Sequence, residues 1–148
     1  MLRKRIPRQD DGIIYGLVEK LLLPFALQTV PDLRVGRTDI LKRLKSCVTY
    51  VDTSAGRLPV GFIALRAERD KRLSVDMLAV NPKFQSRGIG TRLMRQAERT
   101  AGTQGCREVV LWVDEANTQA QTFYVRKGYE TVHYDARLRC YMMMKRLD

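Results

Sequence analysis

The stretch Leu78-Ala79-Val80-Asn81-Pro82-Lys83-Phe84-Gln85-Ser86-Arg87-Gly88-Ile89-Gly90-Thr91-Arg92-Leu93-Met94 constrains the fold more than any other part of this chain. The apolar run ending at Val80 reads as a buried strand. A short loop carrying Pro82 follows, then a turn holding Gly88 and Gly90. Leu93, Met94, Ala97 and Ala101 come next at helical spacing. A strand that passes through a glycine turn into an amphipathic helix is a layered α/β unit, because the helix buries its apolar stripe by lying on the sheet. The turn carries chemistry as well. Free N–H groups at a helix start attract phosphate, and two glycines let a bulky anion approach the main chain.

Two common phosphate-binding motifs are excluded. In the dinucleotide fingerprint the strand runs straight into the first glycine and a third glycine follows three residues after the second. Here Leu93 holds that third position, and Asn81 to Gln85 separate strand from turn. A P-loop needs Gly-Lys-Ser/Thr, which the chain lacks.

Around this unit the periodicities predict one mixed α/β (α+β) domain over residues 1–148. Residues 2–6 read as a short edge strand. Asp10 or Asp11 is placed to cap a helix burying Ile13, Ile14, Leu17, Val18, Leu21 and Leu22, which Pro24 stops. Gln28 to Arg37, with Pro31 and Gly36, reads as a loop, and a short helix from Thr38 buries Ile40, Leu41 and Leu44. Cys47–Val51 and Val60–Leu65 form a hairpin across the turn residues Asp52, Ser54, Gly56 and Pro59. Leu73–Val80 is the third strand. Arg92, Arg95 and Arg99 fall on the solvent side of the glycine-turn helix, which Gly102 and Gly105 end. The continuous β run Val109–Val113 suits a strand covered on both faces. A helix over Thr118–Lys127, a turn at Gly128 and strands near Tyr129–Tyr134 and Arg139–Arg146 complete the chain.

At 148 residues the chain can close one core. No apolar run approaches the roughly 20 residues of a membrane helix. Charges at Asp10, Asp11, Glu19 and Lys20 set the N-terminal region apart from a signal peptide, so a cytoplasmic location is expected. Cys47, Cys106 and Cys140 are scattered and odd in number, and His133 has no metal-binding companion, so no metal is expected. The formal net charge of +11, from 27 Lys and Arg against 16 Asp and Glu, is the unusual bulk property. Such a field attracts polyanions and disfavours a polyamine substrate. It leaves two partners open, a phosphate-rich cosubstrate alone or nucleic acid as well.

The glycine turn resembles the pyrophosphate-binding signature of the GNAT acetyltransferases, Arg/Gln-x-x-Gly-x-Gly/Ala, with Gln85, Gly88 and Gly90 filling the pattern. A second segment is similar to that family's Asn-x-x-Ala-x-x-Phe-Tyr-x-x-x-Gly-Phe/Tyr motif, through Asn117, Ala120, Phe123, Tyr124, Gly128 and Tyr129. The order of elements also resembles that family across nearly the whole chain. The resemblance implies a central, mostly antiparallel sheet of six to seven strands with about four flanking helices. It implies acetyl-coenzyme A as cosubstrate, held by Gln85, Ser86, Arg87, Gly88, Ile89, Gly90 and Thr91 at the pyrophosphate. The backbone of Leu78 and Val80 and the side chains of Asn117 and Tyr124 would serve the pantetheine arm.

Acetyl transfer to an amine requires a deprotonated amine, a stabilised oxyanion and a protonated leaving thiolate. Tyr124 stands where relatives place the acid for the thiolate. Asp76 is the candidate base through water, and strand alternation predicts that it shares a face with Leu78 and Val80. Ser74 stands where other relatives carry a catalytic glutamate, which argues against a direct base. No cysteine is expected where a covalent acetyl-enzyme would need one, so direct transfer in a ternary complex is expected. The acceptor would be a small-molecule amine, or a protein N-terminus or lysine. The alternatives are an aminoacyl-tRNA or ribosomal-protein acceptor, or a non-catalytic coenzyme A-binding module. The Tyr141–Met144 run is expected in the core, with a homodimer edge as the other reading.

Overall fold

The computed structural model describes residues 1–54 and 56–148. In chain order these form β1 (Leu2–Lys4), α1 (Pro7–Leu21), α2 (Leu23–Thr29), α3 (Arg37–Lys45), β2 (Val48–Asp52), β3 (Gly61–Glu68), β4 (Arg72–Val80), a 3-10 turn (Pro82–Phe84), α4 (Ile89–Thr103), β5 (Glu108–Asp114), α5 (Thr118–Arg126), β6 (Glu130–Asp135) and β7 (Cys140–Arg146). The strands build one seven-stranded sheet in the order β1-β2-β3-β4-β5-β7-β6. Every neighbouring pair is antiparallel except β4 and β5. This is the mixed, mostly antiparallel sheet expected from the sequence, with helices on both faces.

One face packs α4 and α5 through Leu93, Met94, Ala97, Ala101 and Tyr124 onto Ile63, Leu65, Leu73, Val75, Val109, Leu111 and Val113. The other packs α1 and α3 through Ile14, Leu17, Val18, Ile40 and Leu44 onto Val51, Phe62, Ala64, Met77 and Ala79. Met143 is fully buried and its neighbours on β7 half-buried, as the core reading of Tyr141–Met144 requires.

Several local expectations are corrected. The edge strand stops at Lys4, and α1 starts at Pro7 rather than at an Asp10 or Asp11 cap. Pro fits a first helical turn because its missing N–H would be unpaired there anyway. Pro24 is accommodated in the same way: it opens α2, which occupies part of the segment read as chain break and loop. The third helix begins at Arg37 with Gly36 as its N-cap, two residues before the cap expected at Thr38. Strand β5 is not covered on both faces, since Trp112 remains 48% exposed. Arg92 is not merely solvated. It donates to buried Asp52 at 3.1 Å and to the Ser54 hydroxyl at 2.9 Å, tying α4 to the end of β2.

Asp10 illustrates how the first turn is fixed. It is fully buried, accepts two bonds from the Arg3 guanidinium at 2.7 and 2.9 Å and one from the Ile6 N–H at 2.7 Å. Burial alone would raise its pKa, but the Arg3 and Ile6 hydrogen bonds outweigh that and hold the carboxyl below its usual range. Asp52 is held low in the same way, its burial outweighed by Ser54 and Arg92. Folded pKa values below the unfolded ones mean that both groups stabilise the protein at neutral pH. That contribution falls away as pH drops below about 4. Asp10→Asn leaves Arg3 without its partner and is expected to cost about 3 kcal/mol in urea unfolding at pH 7, with the deficit shrinking in acid.

Candidate active site

The site grows from one irregularity in β4. Against β3, Ile63 pairs with Leu78 and Ala64 with Met77, but Leu65 pairs with Val75, so Asp76 is an extra residue on β4. Such a bulge bends the strand and re-aims its side chains. The expected alternation therefore fails. Leu78 and Val80 lie with Val75 on the α4–α5 face, whereas Asp76 follows Met77 towards α3.

The bulge also coincides with the end of the β4–β5 ladder. These strands pair only from Arg72–Glu108 to Val75–Leu111, then separate. Asn81 N–H donates to the carbonyl of Val60, the residue just before β3, at 2.7 Å. Alternation of backbone directions then turns the N–H groups of Leu78 and Val80 away from β3, into the opened gap. A cavity of about 340 Å³ lies at the gap and is lined by residues from both faces of the sheet. Leu78, Asn117, Ala120 and Tyr124 line it on the α5 side, and Val18, Leu22, Phe25, Leu33, Val35 and Trp112 line it on the α1–α2 side.

At the end of β4 the glycine turn leads into the N-terminus of α4. Ser86 and Gly88 both have positive φ, at 65° and 78°, and Gly88 is the N-cap of α4 with no side-chain cap bond. Among the described residues, none of the N–H groups from Ser86 to Thr91 donates to a protein acceptor. Consecutive unpaired N–H groups curving into a helix N-terminus are the main-chain arrangement that binds phosphate. The Gln85 amide donates to the Val80 carbonyl at 3.2 Å and so ties the turn to the strand, and Arg87 lies over the Phe84 ring. Gly90 has a packing reason: a Cβ there would stand 3.2 Å from Phe123.

In the gap, Tyr124 is buried and packs edge-to-face against Phe123 and Tyr129. Burial pushes its hydroxyl well above the usual tyrosine range, with no hydrogen bond contributing. It is thus a neutral phenol whose proton is available to a molecule in the cavity. Asn117 caps α5 by accepting the Ala120 N–H at 3.2 Å, which leaves its amide N–H₂ for the gap. Ser74 is buried.

Asp76 is matched by two guanidinium groups. Arg43 donates to it twice, at 3.0 and 2.9 Å, and Arg66 stands 3.4 Å away. Two residues that sequence reasoning left out of the site line the same cavity. Asp114 accepts from the Thr29 hydroxyl at 2.8 Å and the Ala116 N–H at 2.9 Å. Cys140 also lines it. Burial, with Asp114, Asp135 and Glu115 nearby, pushes that thiol up, away from the thiolate a covalent intermediate would need. Neither residue sits in a recognisable motif, and only the separation of β5 from β4 brings them in.

The split between β4 and β5, the glycine turn at the end of β4 and the buried Tyr124 in the split lie side by side at one end of the sheet. The profile of the acetyltransferase (GNAT) family matches residues 17–129, and the chain belongs to that family. It is 38% identical over 78 residues to an uncharacterized N-acetyltransferase of Methanocaldococcus jannaschii, covering 49% of this chain and 34% of the relative. The chain spans about a third of the length of the curated relatives it matches. Among solved structures, Ard1 from Thermoplasma volcanium superposes with a TM-score of 0.79 at 22% identity, covering 99% of this chain and 97% of that one. A GNAT family acetyltransferase from Elizabethkingia anophelis with acetyl-CoA bound superposes at 0.74 and 16% identity, covering 99% and 97%. These likenesses concern the fold. The glycine and tyrosine segments both lie inside residues 17–129.

Proposed function

We propose that this chain is an N-acetyltransferase that moves acetyl from acetyl-coenzyme A to a primary amine within a ternary complex. The observation that carries the reading is the run of free N–H groups from Ser86 to Thr91 at the end of the strand whose separation from β5 opens the cavity. Family membership and the acetyl-CoA-bound structural neighbour support the choice of cosubstrate. When bound, that molecule supplies an acyl group activated as a thioester.

The residues divide the work by place. Ser86, Arg87, Gly88, Ile89, Gly90 and Thr91 receive the pyrophosphate, with Gln85 bracing the turn. The N–H groups of Leu78 and Val80 are placed to bond the amide-bearing arm as an added strand would, and Asn117 donates from the far wall. Tyr124 is placed to give its proton to the departing sulfur. Burial keeps the phenol neutral and makes it a weaker acid than free tyrosine, so the proton moves as the C–S bond breaks rather than ahead of it. Asp76, with two arginines against it, orders Arg43 on the acceptor side rather than taking a proton itself. The amine enters from the α1–α2 side, opposite Tyr124, and gives up its ammonium proton to solvent water. It attacks the thioester carbonyl as the C–S bond breaks and returns its second proton to the Tyr124 phenolate. Release of free thiol from acetyl-coenzyme A, measured with a thiol-reactive dye on adding amine, tests the reading. Amine-dependent release supports it, and release no faster than buffer hydrolysis contradicts it.

A second reading concerns where the acceptor resides. Only eight of the 27 Lys and Arg side chains pair with a carboxylate among the described residues. Exposed Arg69, Lys71, Arg107 and Arg146 gather at the sheet end opposite the glycine turn, where Arg107 N–H bonds the Lys71 carbonyl and Leu147 N–H the Arg107 carbonyl. This row suits RNA carrying the acceptor. If it holds phosphates, tRNA affinity in filter binding falls with a log–log salt slope of about −3 to −4, and Lys71→Glu/Arg107→Glu weakens binding without changing affinity for acetyl-coenzyme A.

A further inference from the structure

The acceptor side of the cavity has a composition of its own. Its walls are Val18, Leu22, Phe25, Leu33, Val35 and Trp112. Two carboxylates reach it, and they are not equivalent. Asp76 is matched by Arg43 and Arg66. Asp114 has no cationic partner among the described residues. Only the Thr29 hydroxyl and the Ala116 N–H bond its oxygens, which fixes its orientation and leaves further lone pairs open. The neighbouring Glu115, by contrast, is neutralised by Arg139 at 3.0 Å. Asp114 leads off the free end of β5 just past Val113, where β4 no longer covers it. A half-buried carboxylate without a counter-ion, facing an apolar chamber, is completed by a monocation with an apolar body.

Building on the acetyltransferase reading, we infer that Asp114 binds the ammonium of the acceptor and that the acceptor is a singly charged primary amine carrying an apolar group. The chamber seats the apolar group between α1, α2 and Trp112, and Asp114 turns the nitrogen towards the gap where Tyr124 lies. One uncompensated carboxylate satisfies one ammonium. A polyamine would leave further charges against Leu and Phe, in the field of a +11 chain. The same head group occurs on a free arylalkylamine and on a peptide whose first residue is apolar. The cavity of about 340 Å³ is of small-molecule size.

Trp112 is the chain's only tryptophan and lines the chamber, so its fluorescence reports amine binding without turnover. We would titrate the full chain with 2-phenylethylamine, spermidine and a tetrapeptide with N-terminal leucine. Saturable quenching by 2-phenylethylamine is expected. Asp114→Asn should weaken it by about tenfold or more and raise KM alike, while acetyl-coenzyme A affinity by calorimetry stays within about twofold. Preference for the tetrapeptide would place the same head group on a peptide. Tighter binding of spermidine, or an Asp114→Asn protein that binds 2-phenylethylamine unchanged, would overturn the inference. So would no response to any of the three probes. Asp114→Glu, which keeps the charge, should retain most of the affinity and separates loss of charge from loss of fold. Failure of the wild-type chain to bind acetyl-coenzyme A would instead overturn the acetyltransferase reading, and calorimetry reads that separately.

Discussion

Gly88→Asp should abolish measurable binding of acetyl-coenzyme A, weakening it by about a hundredfold or more. Three effects act together. Gly88 sits at φ 78°, where a side chain costs about 1–2 kcal/mol of backbone strain. A carboxylate placed at the N-cap of α4 would accept the N–H groups that phosphate otherwise fills. Its charge would also repel the incoming diphosphate. Space is not the obstacle, since a Cβ at Gly88 meets nothing closer than 3.8 Å, from the flexible Arg92 side chain. Gly88→Ala therefore isolates the strain and should cost only about tenfold. Thermal unfolding of both variants should fall by only a few degrees, as about 1–2 kcal/mol of strain implies, so that lost binding is not lost fold.

Tyr124→Phe should lower kcat by about a hundredfold and leave acetyl-coenzyme A affinity nearly unchanged. The ring packs with Phe123 and Tyr129, and phenylalanine preserves that packing. The hydroxyl bonds no other group of the protein, so its removal strands no partner. The loss should thus fall on the proton delivered to the leaving sulfur. The pH profile gives an independent check. A tyrosine pushed up by burial keeps its proton through the alkaline range, so wild-type kcat should show no descending limb below about pH 10. A Tyr124→Phe enzyme of unchanged kcat would remove Tyr124 from the chemistry.

The parts of this architecture that sequence made legible are those governed by local patterns. The stripe Leu93, Met94, Ala97 and Ala101 marked α4 because a 3.6-residue repeat has no other use, and all four side chains are buried. The Gly88–Gly90 turn was legible because its special backbone demands glycine. What stayed hidden depends on relations between distant segments. The bulge at Asp76 is a mismatch of register between β3 and β4, and nothing in Val75-Asp76-Met77 announces it. Its consequence, the transfer of Asp76 to the α3 side, could not be read from alternation. Arg92 looked solvated because it lies off the apolar stripe, yet its partner Asp52 is 40 residues earlier. Asp114 and Cys140 reach the cavity only because β4 and β5 part after Val75 and Leu111. Pro24 does mark the end of α1, which stops at Leu21, but proline also suits a first helical turn, and the same residue opens α2.

The most direct test is a calorimetric titration of the wild-type chain with acetyl-coenzyme A. The free N–H groups from Ser86 to Thr91 and the open edge of β4 predict one site per chain with a dissociation constant of about 1–100 μM, in the ordinary range for an enzyme and its substrate. Absence of heat at millimolar ligand, confirmed by an unchanged melting temperature, would contradict the assignment of the glycine turn and of the cavity beside it.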